Sequence, residues 1–128
     1  MGVYCGVDMV EIQRVKDSID KLGDSFINRI FTPAEIEYCE KRKSGRYESY
    51  SARFAAKEAI SKALGTGFTQ GVGLKGIELI STESGKPEVT LHGRTKERFI
   101  SIGGIAIDIS ISHCRDYAVA FAVLQTKD

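Results

Sequence analysis

Glu58 and Lys62 lie four residues apart in the run RFAAKEAISKAL, so on a helix they share one face. That is also the spacing of an ordinary intrahelical ion pair, worth roughly a few tenths of a kcal/mol. Phe54 falls beside them, and a large ring on a polar stripe needs a cover, either a ligand or another subunit. Ser61 adds a hydroxyl to the same stripe. Behind the helix comes TGFTQGVG, with three glycines in eight residues, which suits close backbone approach by a ligand. Asp8 ends VYCGVD at a strand-to-helix junction, where its carboxylate opens into a cleft or simply favours the helix dipole. Lys86 is exposed in the turn SGKP. Ser112-His113 ends a strand, and its imidazole could contact a phosphate, serve as an acid or base, or merely lie on the surface.

Several elements must position these groups. Residues 3–8 read as a short strand, and Ile12, Val15, Ile19 and Leu22 recur at helical spacing after it. Thr32-Pro33-Ala34-Glu35 is a helix start, with a threonine cap, proline first and glutamate third, and that helix should run to about Lys41. Residues 46–64 form an alanine-rich helix ended by Gly65. Ala52, Ala56, Ala59, Ile60 and Ala63 make a packing stripe, and Ser51, Phe54, Glu58, Ser61 and Lys62 fall together on the other side. LKGIELIS and PEVTLHG read as strands joined by TESGK, followed by a short helix in GRTKERFISIG. IAIDISIS (105–112) alternates, with its isoleucines toward the core; YAVAFAVLQ (117–125) puts Tyr117, Val119, Phe121 and Val123 opposite alanines, and HCRD is the hairpin turn. Helices gathered before a mainly antiparallel sheet predict an α+β fold in a single domain, residues 1–128.

Composition narrows the function classes. A net charge of +1 argues against a general nucleic-acid binder, which needs a marked basic excess. No apolar run is long enough to span a bilayer, and MGVYCGVDMVEIQ lacks the basic start and apolar stretch of a secretory signal. Three separated cysteines, Cys5, Cys39 and Cys114, contain no CxxC pair, which points to free thiols in a soluble, cytoplasmic protein rather than to a disulfide framework or zinc site. KRKSGR (41–46), with Arg14, Lys16, Lys21 and Arg29, concentrates basic side chains in the first third, a pattern that fits an acidic protein partner.

In order and spacing, GVDMVEIQR (6–14), FTPAEIEYC (31–39), FAAKEAISKALGTG (54–67), SGKP and ISH resemble the holo-acyl-carrier-protein synthase family of phosphopantetheinyl transferases. The resemblance spans nearly the whole chain, and residues 54–67 are its most specific part. It implies a phosphopantetheinyl transferase-like fold and transfer of 4′-phosphopantetheine from coenzyme A to a serine of an apo-acyl carrier protein. It implies Mg²⁺ on Asp8 and Glu58, with Lys62 near the pyrophosphate. Phe54, Ser61, Gly65, Lys86, Pro87, Ser112 and His113 correspond to coenzyme A contacts. Arg14 matches a carrier-protein contact, and Lys21 would widen that patch. The family is typically trimeric, with Asp8, Glu58 and Lys62 from one chain completed by the SGKP and SH segments of the next.

Two other classes compete at this stage. One is a non-catalytic oligomeric module that holds an acidic protein, with Glu58 and Lys62 purely structural. The other is a different Mg²⁺-dependent nucleotide enzyme, for which the sequence offers no GxxxxGK[ST] loop.

Overall fold

The computed structural model describes residues 1–127. Its elements are β1 (Gly2–Glu11), α1 (Ile12–Leu22), α2 (Asp24–Ile30), α3 (Pro33–Lys41), α4 (Arg46–Ala63), β2 (Ile77–Ser81), β3 (Pro87–Leu91), α5 (Gly93–Ser101), β4 (Gly104–His113) and β5 (Tyr117–Thr126). The expected α+β order holds, but the strands divide into two antiparallel ladders. β5 lies between β1 and β4, and β2 pairs with β3 alone. Among the described residues no helix is long and apolar enough to cross a membrane.

Helix α4 packs across the three-stranded sheet, and its alanine stripe explains how closely. Ala52, Ala56, Ala59, Ile60 and Ala63 are buried, facing Ala118, Ala120, Ala122 and Leu124 of β5. Gly6 of β1 completes this bed of small residues: a Cβ placed there would lie 1.9 Å from the Ala59 carbonyl oxygen. Glycine inside a strand often marks such a backbone approach. Ser51 and Ser61, expected on the open stripe, are buried as well. α4 is covered by α1, α3 and β2 in addition to the sheet, so its exposed side is narrower than a two-faced helix would have.

The outward face of the sheet is unusual. Because β5 turns its alanines and Leu124 inward, its aromatic side chains point away from α4, leaving Phe121 44% and Tyr117 42% exposed. β1 presents Val7 and Met9 on the same side, opposite Phe121 and Val119, at 54% and 63% exposure. The isoleucines of β4 behave differently from one another. Ile109 is buried and Ile107 and Ile111 pack against the core, but a register shift between Gly104 and Ala106 leaves Ile105 out.

The start of α3 forms as its sequence requires. Thr32 accepts the Glu35 amide and Glu35 reaches back to the Thr32 amide, closing a capping box worth about 1 kcal/mol. Glu35 does more than cap. Fully buried, it pairs with Lys57 at 2.8 Å and accepts the Leu79 amide at 2.8 Å. Lys57 Nζ also donates to the carbonyls of Leu74 and Ile77. This buried centre ties α3, α4 and β2 together, and burial lowers the Lys57 pKa from its ordinary value, opposed by Glu35. Pairing with hydrogen bonds on all sides is what makes two buried charges tolerable.

Three local expectations need correction. β1 does not stop at Asp8 but continues to Glu11, so Asp8 is held within a strand, opposite Ala120, rather than at a junction. Asp24–Ile30 forms an additional short helix that the apolar spacing did not mark. Leu22, expected on the buried stripe of α1, is 48% exposed at the helix end.

Candidate active site

Asp8 and Glu58 meet because Gly6 allows α4 to lie directly on β1. The two carboxyl groups line one cleft of about 520 Å³ with Met9, Arg14, Phe26 and Phe54. Lys62, one turn beyond Glu58, does not simply serve as its helical partner. Its ammonium donates to Asp8 Oδ1 at 3.0 Å and to the Val7 carbonyl at 2.9 Å, bridging helix and strand. The Asp8 side chain is mostly covered, whereas half of Lys62 remains in solvent, free to meet an anion.

The electrostatics of Glu58 follow from this placement. Burial raises its pKa above the ordinary carboxylate value, the nearby Asp8 charge raises it further, and Lys62 acts in the opposite direction. Two mutually repelling carboxylates in a half-closed cleft form a cation-seeking pair of hard oxygen donors. Among the described residues no cluster of three or more His, Cys, Asp or Glu side chains could cage a metal. A cation held here would thus have two protein ligands, leaving positions for water and phosphate oxygens, which is how Mg²⁺ commonly binds.

The remaining candidate residues divide among several places. Phe54 and Arg14 line the cleft of Asp8 and Glu58. Lys21 is exposed in the last turn of α1. Ser61 lies under the helix surface, its hydroxyl donating to the Glu58 carbonyl at 2.7 Å. Gly65 takes φ +81° just past α4, as a helix-ending glycine should. Lys86 lies elsewhere, paired with Asp108 at 3.0 Å, and holds the Asp108 pKa down. Pro87 opens β3 beside it. Ser112 and His113 end β4, and His113 lines a second cleft of about 580 Å³. Within one chain, the SGKP and SH segments therefore do not line the Asp8 cleft.

Two residues that shape these clefts escaped the sequence reading. Gly6 is one, although a glycine in a strand pattern is a recognised signal of close approach. Arg53 is the other: it lines the His113 cleft with Tyr38, Arg42 and Arg115, stacks 4.0 Å from the Tyr38 ring centroid and donates to Ser81 Oγ at 2.7 Å. It is 4% exposed, and its Nε has no hydrogen-bond partner. An arginine within an alanine-rich helix gave only a weak signal, since arginine is an ordinary helix former.

The sequence and fold of this chain have direct counterparts among known proteins. Residues 4–122 match the family model of the 4′-phosphopantetheinyl transferase superfamily, and the chain belongs to that family. Within it, the similarity runs to the holo-[acyl-carrier-protein] synthases. The protein of that name from Ruminiclostridium cellulolyticum is 48% identical over 128 residues, covering 100% of this chain and 96% of its own length. The one from Halothermothrix orenii is 47% identical over 119 residues, covering 92% of this chain and 93% of its own. The crystal structure of the Neisseria meningitidis holo-[acyl-carrier-protein] synthase superposes with a TM-score of 0.88 at 30% identity, covering 96% of this chain and 98% of that one. The Helicobacter pylori synthase, solved in complex with coenzyme A, superposes with a TM-score of 0.83 at 29% identity, covering 94% and 99%.

Proposed function

We propose that this chain is a holo-[acyl-carrier-protein] synthase acting as one phosphopantetheinyl transferase domain over residues 1–128. It moves 4′-phosphopantetheine from coenzyme A to a serine hydroxyl of apo-acyl carrier protein and releases adenosine 3′,5′-bisphosphate, supporting fatty acid biosynthesis. The observation that carries this reading is the meeting of Asp8 and Glu58 in one cleft, with Lys62 bonded to Asp8, in a chain similar to synthases of that name along its whole length.

In this reaction the serine oxygen forms a bond to the β-phosphorus while the pyrophosphate P–O bond breaks and the serine proton departs. Asp8 and Glu58 would hold Mg²⁺, which when bound would polarise a phosphoryl oxygen and offset charge on the pyrophosphate. Lys62 donates to the departing bisphosphate as its negative charge grows. Either Glu58, whose pKa is raised, or a water held at the metal would take the serine proton. Phe54 covers the pantetheine side, and Gly65 lets the backbone come close. Lys86, Pro87, Ser112 and His113 serve the adenosine end with its phosphates. The basic cleft of Arg42, Arg53, His113 and Arg115 supports that assignment.

Because Lys86 and His113 lie away from the Asp8 cleft of their own chain, the site is completed by a neighbouring copy. We take the assembly to be a homotrimer joined through the outward sheet face, where Val7, Met9, Tyr117 and Phe121 are exposed together. Phe121→Asp should give a monomer in analytical ultracentrifugation and abolish transfer; full activity in a monomeric variant would refute shared sites. Free Cys5, Cys39 and Cys114 suit a reducing cytoplasm, where the carrier protein would be met.

The decisive assay incubates the protein with coenzyme A, Mg²⁺ and apo-acyl carrier protein, then weighs the carrier. A phosphopantetheine mass gain is expected, and no gain with several carriers would refute the function. Arg14 lines the rim of the cleft, and Lys21 lies on the same helix. Arg14→Ala should raise the KM for the carrier about ten-fold, as loss of a charge-assisted contact does, with coenzyme A affinity unchanged. A fall in coenzyme A affinity instead would move Arg14 to the nucleotide site.

A further inference from the structure

We propose that α5 is a brace that holds loop 65–73 in its shape, with Arg98 and Thr95 as the positioning residues and the loop as a wall of the coenzyme A site. The last clause rests on the function proposed above; the brace itself does not.

The loop leaves α4 three residues after Lys62 and has every feature of a segment that needs holding. Gly65, Gly67 and Gly71 take positive φ, as does Gln70 at 55°, and the Phe68 side chain is 37% exposed. Glycines at such positions lower strain but leave a wide choice of conformations to be lost on ordering. Side chains of α5 meet the segment at both ends. At the entry, Arg98 donates twice to the Leu64 carbonyl, from Nε at 3.1 Å and Nη2 at 3.0 Å. This places a cation on the carbonyl end of α4, where the helix dipole favours it. At the exit, the buried Thr95 hydroxyl accepts the Gly73 amide at 3.1 Å. Residues 95 and 98 are one turn apart, so a single rigid helix fixes the separation between the two ends of the loop.

Two further contacts complete the clamp. The Arg94 side chain lies against Gly71, so close that a Cβ there would be 2.5 Å from Arg94 Nε. Lys57, anchored on Glu35, donates to the Leu74 carbonyl at 2.8 Å just beyond the exit. Inside the clamp, the Gly67 amide folds back to the Ser61 carbonyl at 3.1 Å. The loop thus starts in register with the turn of α4 that bears Lys62. A wall held in advance spares the ligand the ordering cost of forming it, and that saving should appear in ligand affinity.

The test compares Arg98→Ala, Arg98→Lys and Thr95→Val with the parent protein in two measurements. Hydrogen–deuterium exchange on the protein without coenzyme A should show amides of residues 65–73 exchanging about ten-fold faster in Arg98→Ala and Thr95→Val, as expected from losing one or two hydrogen bonds. Exchange in β4 and β5 should be unchanged. Steady-state transfer should show the coenzyme A KM raised roughly ten-fold while kcat and the carrier KM stay within about two-fold. Arg98→Lys, which can still donate once to Leu64, should fall between parent and Arg98→Ala. Unchanged loop exchange, or faster exchange throughout the chain, would overturn the brace. Faster loop exchange with an unmoved coenzyme A KM would overturn the loop's part in the site. The exchange arm reads the brace even where no carrier is modified, so its failure is distinct from failure of the proposed function.

Discussion

Asp8→Ala and Glu58→Ala should each reduce phosphopantetheine transfer by about 10³-fold or more, which corresponds to ~4 kcal/mol of transition-state stabilisation. Both side chains line an open cleft, and their removal leaves no cavity in the core. Circular dichroism and thermal melting of the variants should therefore match the parent protein. Mg²⁺ affinity, measured by calorimetry in the presence of coenzyme A, should fall in parallel with activity. Retained activity in either variant would refute the metal assignment. The raised pKa of Glu58 adds a direction with pH. A cation is held by the ionised carboxylate, so Mg²⁺ affinity should weaken as pH falls through that raised value, earlier in an acid titration than an ordinary glutamate would produce. In Asp8→Asn the repelling charge is gone, so the Glu58 pKa should drop and the weakening should begin at lower pH. An unmoved profile would show that Asp8 does not influence Glu58.

Gly6→Ala carries no chemical group into or out of the cleft, yet a large loss of activity is expected from it too. The new Cβ would lie 1.9 Å from the Ala59 carbonyl oxygen and 2.9 Å from the Ala63 amide nitrogen, both backbone atoms of α4. A side chain could turn aside, but a helix backbone has to move as a unit. Overpacking of this kind typically costs about 1–3 kcal/mol. A shift of about 1 Å in Glu58 and Lys62 relative to Asp8 would cost on the order of 10²-fold in kcat. The expected result is a lower melting temperature together with that loss, the KM for the carrier changing little. Unaltered kcat in a folded Gly6→Ala protein would show that close helix–strand contact is unnecessary for the reaction.

What could be read in advance depended on how local its cause was. The capping box of Thr32 and Glu35, the alanine-rich α4 and its terminal Gly65 are all set by residues within a few positions of one another, and each formed as its sequence indicated. The second role of Glu35 was invisible because Lys57 lies 22 positions away and a lysine in a helix ordinarily reads as solvated. Ser51 and Ser61 were misplaced for a related reason. Periodicity divides a helix into two faces but cannot count how many neighbours surround it, and α4 has the sheet, α1, α3 and β2 around it. On β5, alternation separated the alanines from Tyr117 and Phe121, but only the tertiary packing revealed that the small residues face the core. The candidate site was legible as a set of motifs. That Lys86 and His113 lie apart from Asp8 was implied only by family resemblance, since a linear sequence does not show such distances.

The seam between α4 and the sheet also shapes how this protein can vary. Gly6, Ala59, Ala118, Ala120 and Ala122 meet there with little space to enlarge. Most single-nucleotide changes at glycine and alanine codons introduce something bulkier, so random mutation presses on this seam in one direction. Variants that displace α4 would mimic lesions of Asp8 or Glu58 although their reactive groups are all intact. A genetic screen for lost transfer would therefore outline the contact between helix and sheet as clearly as it outlines the cleft.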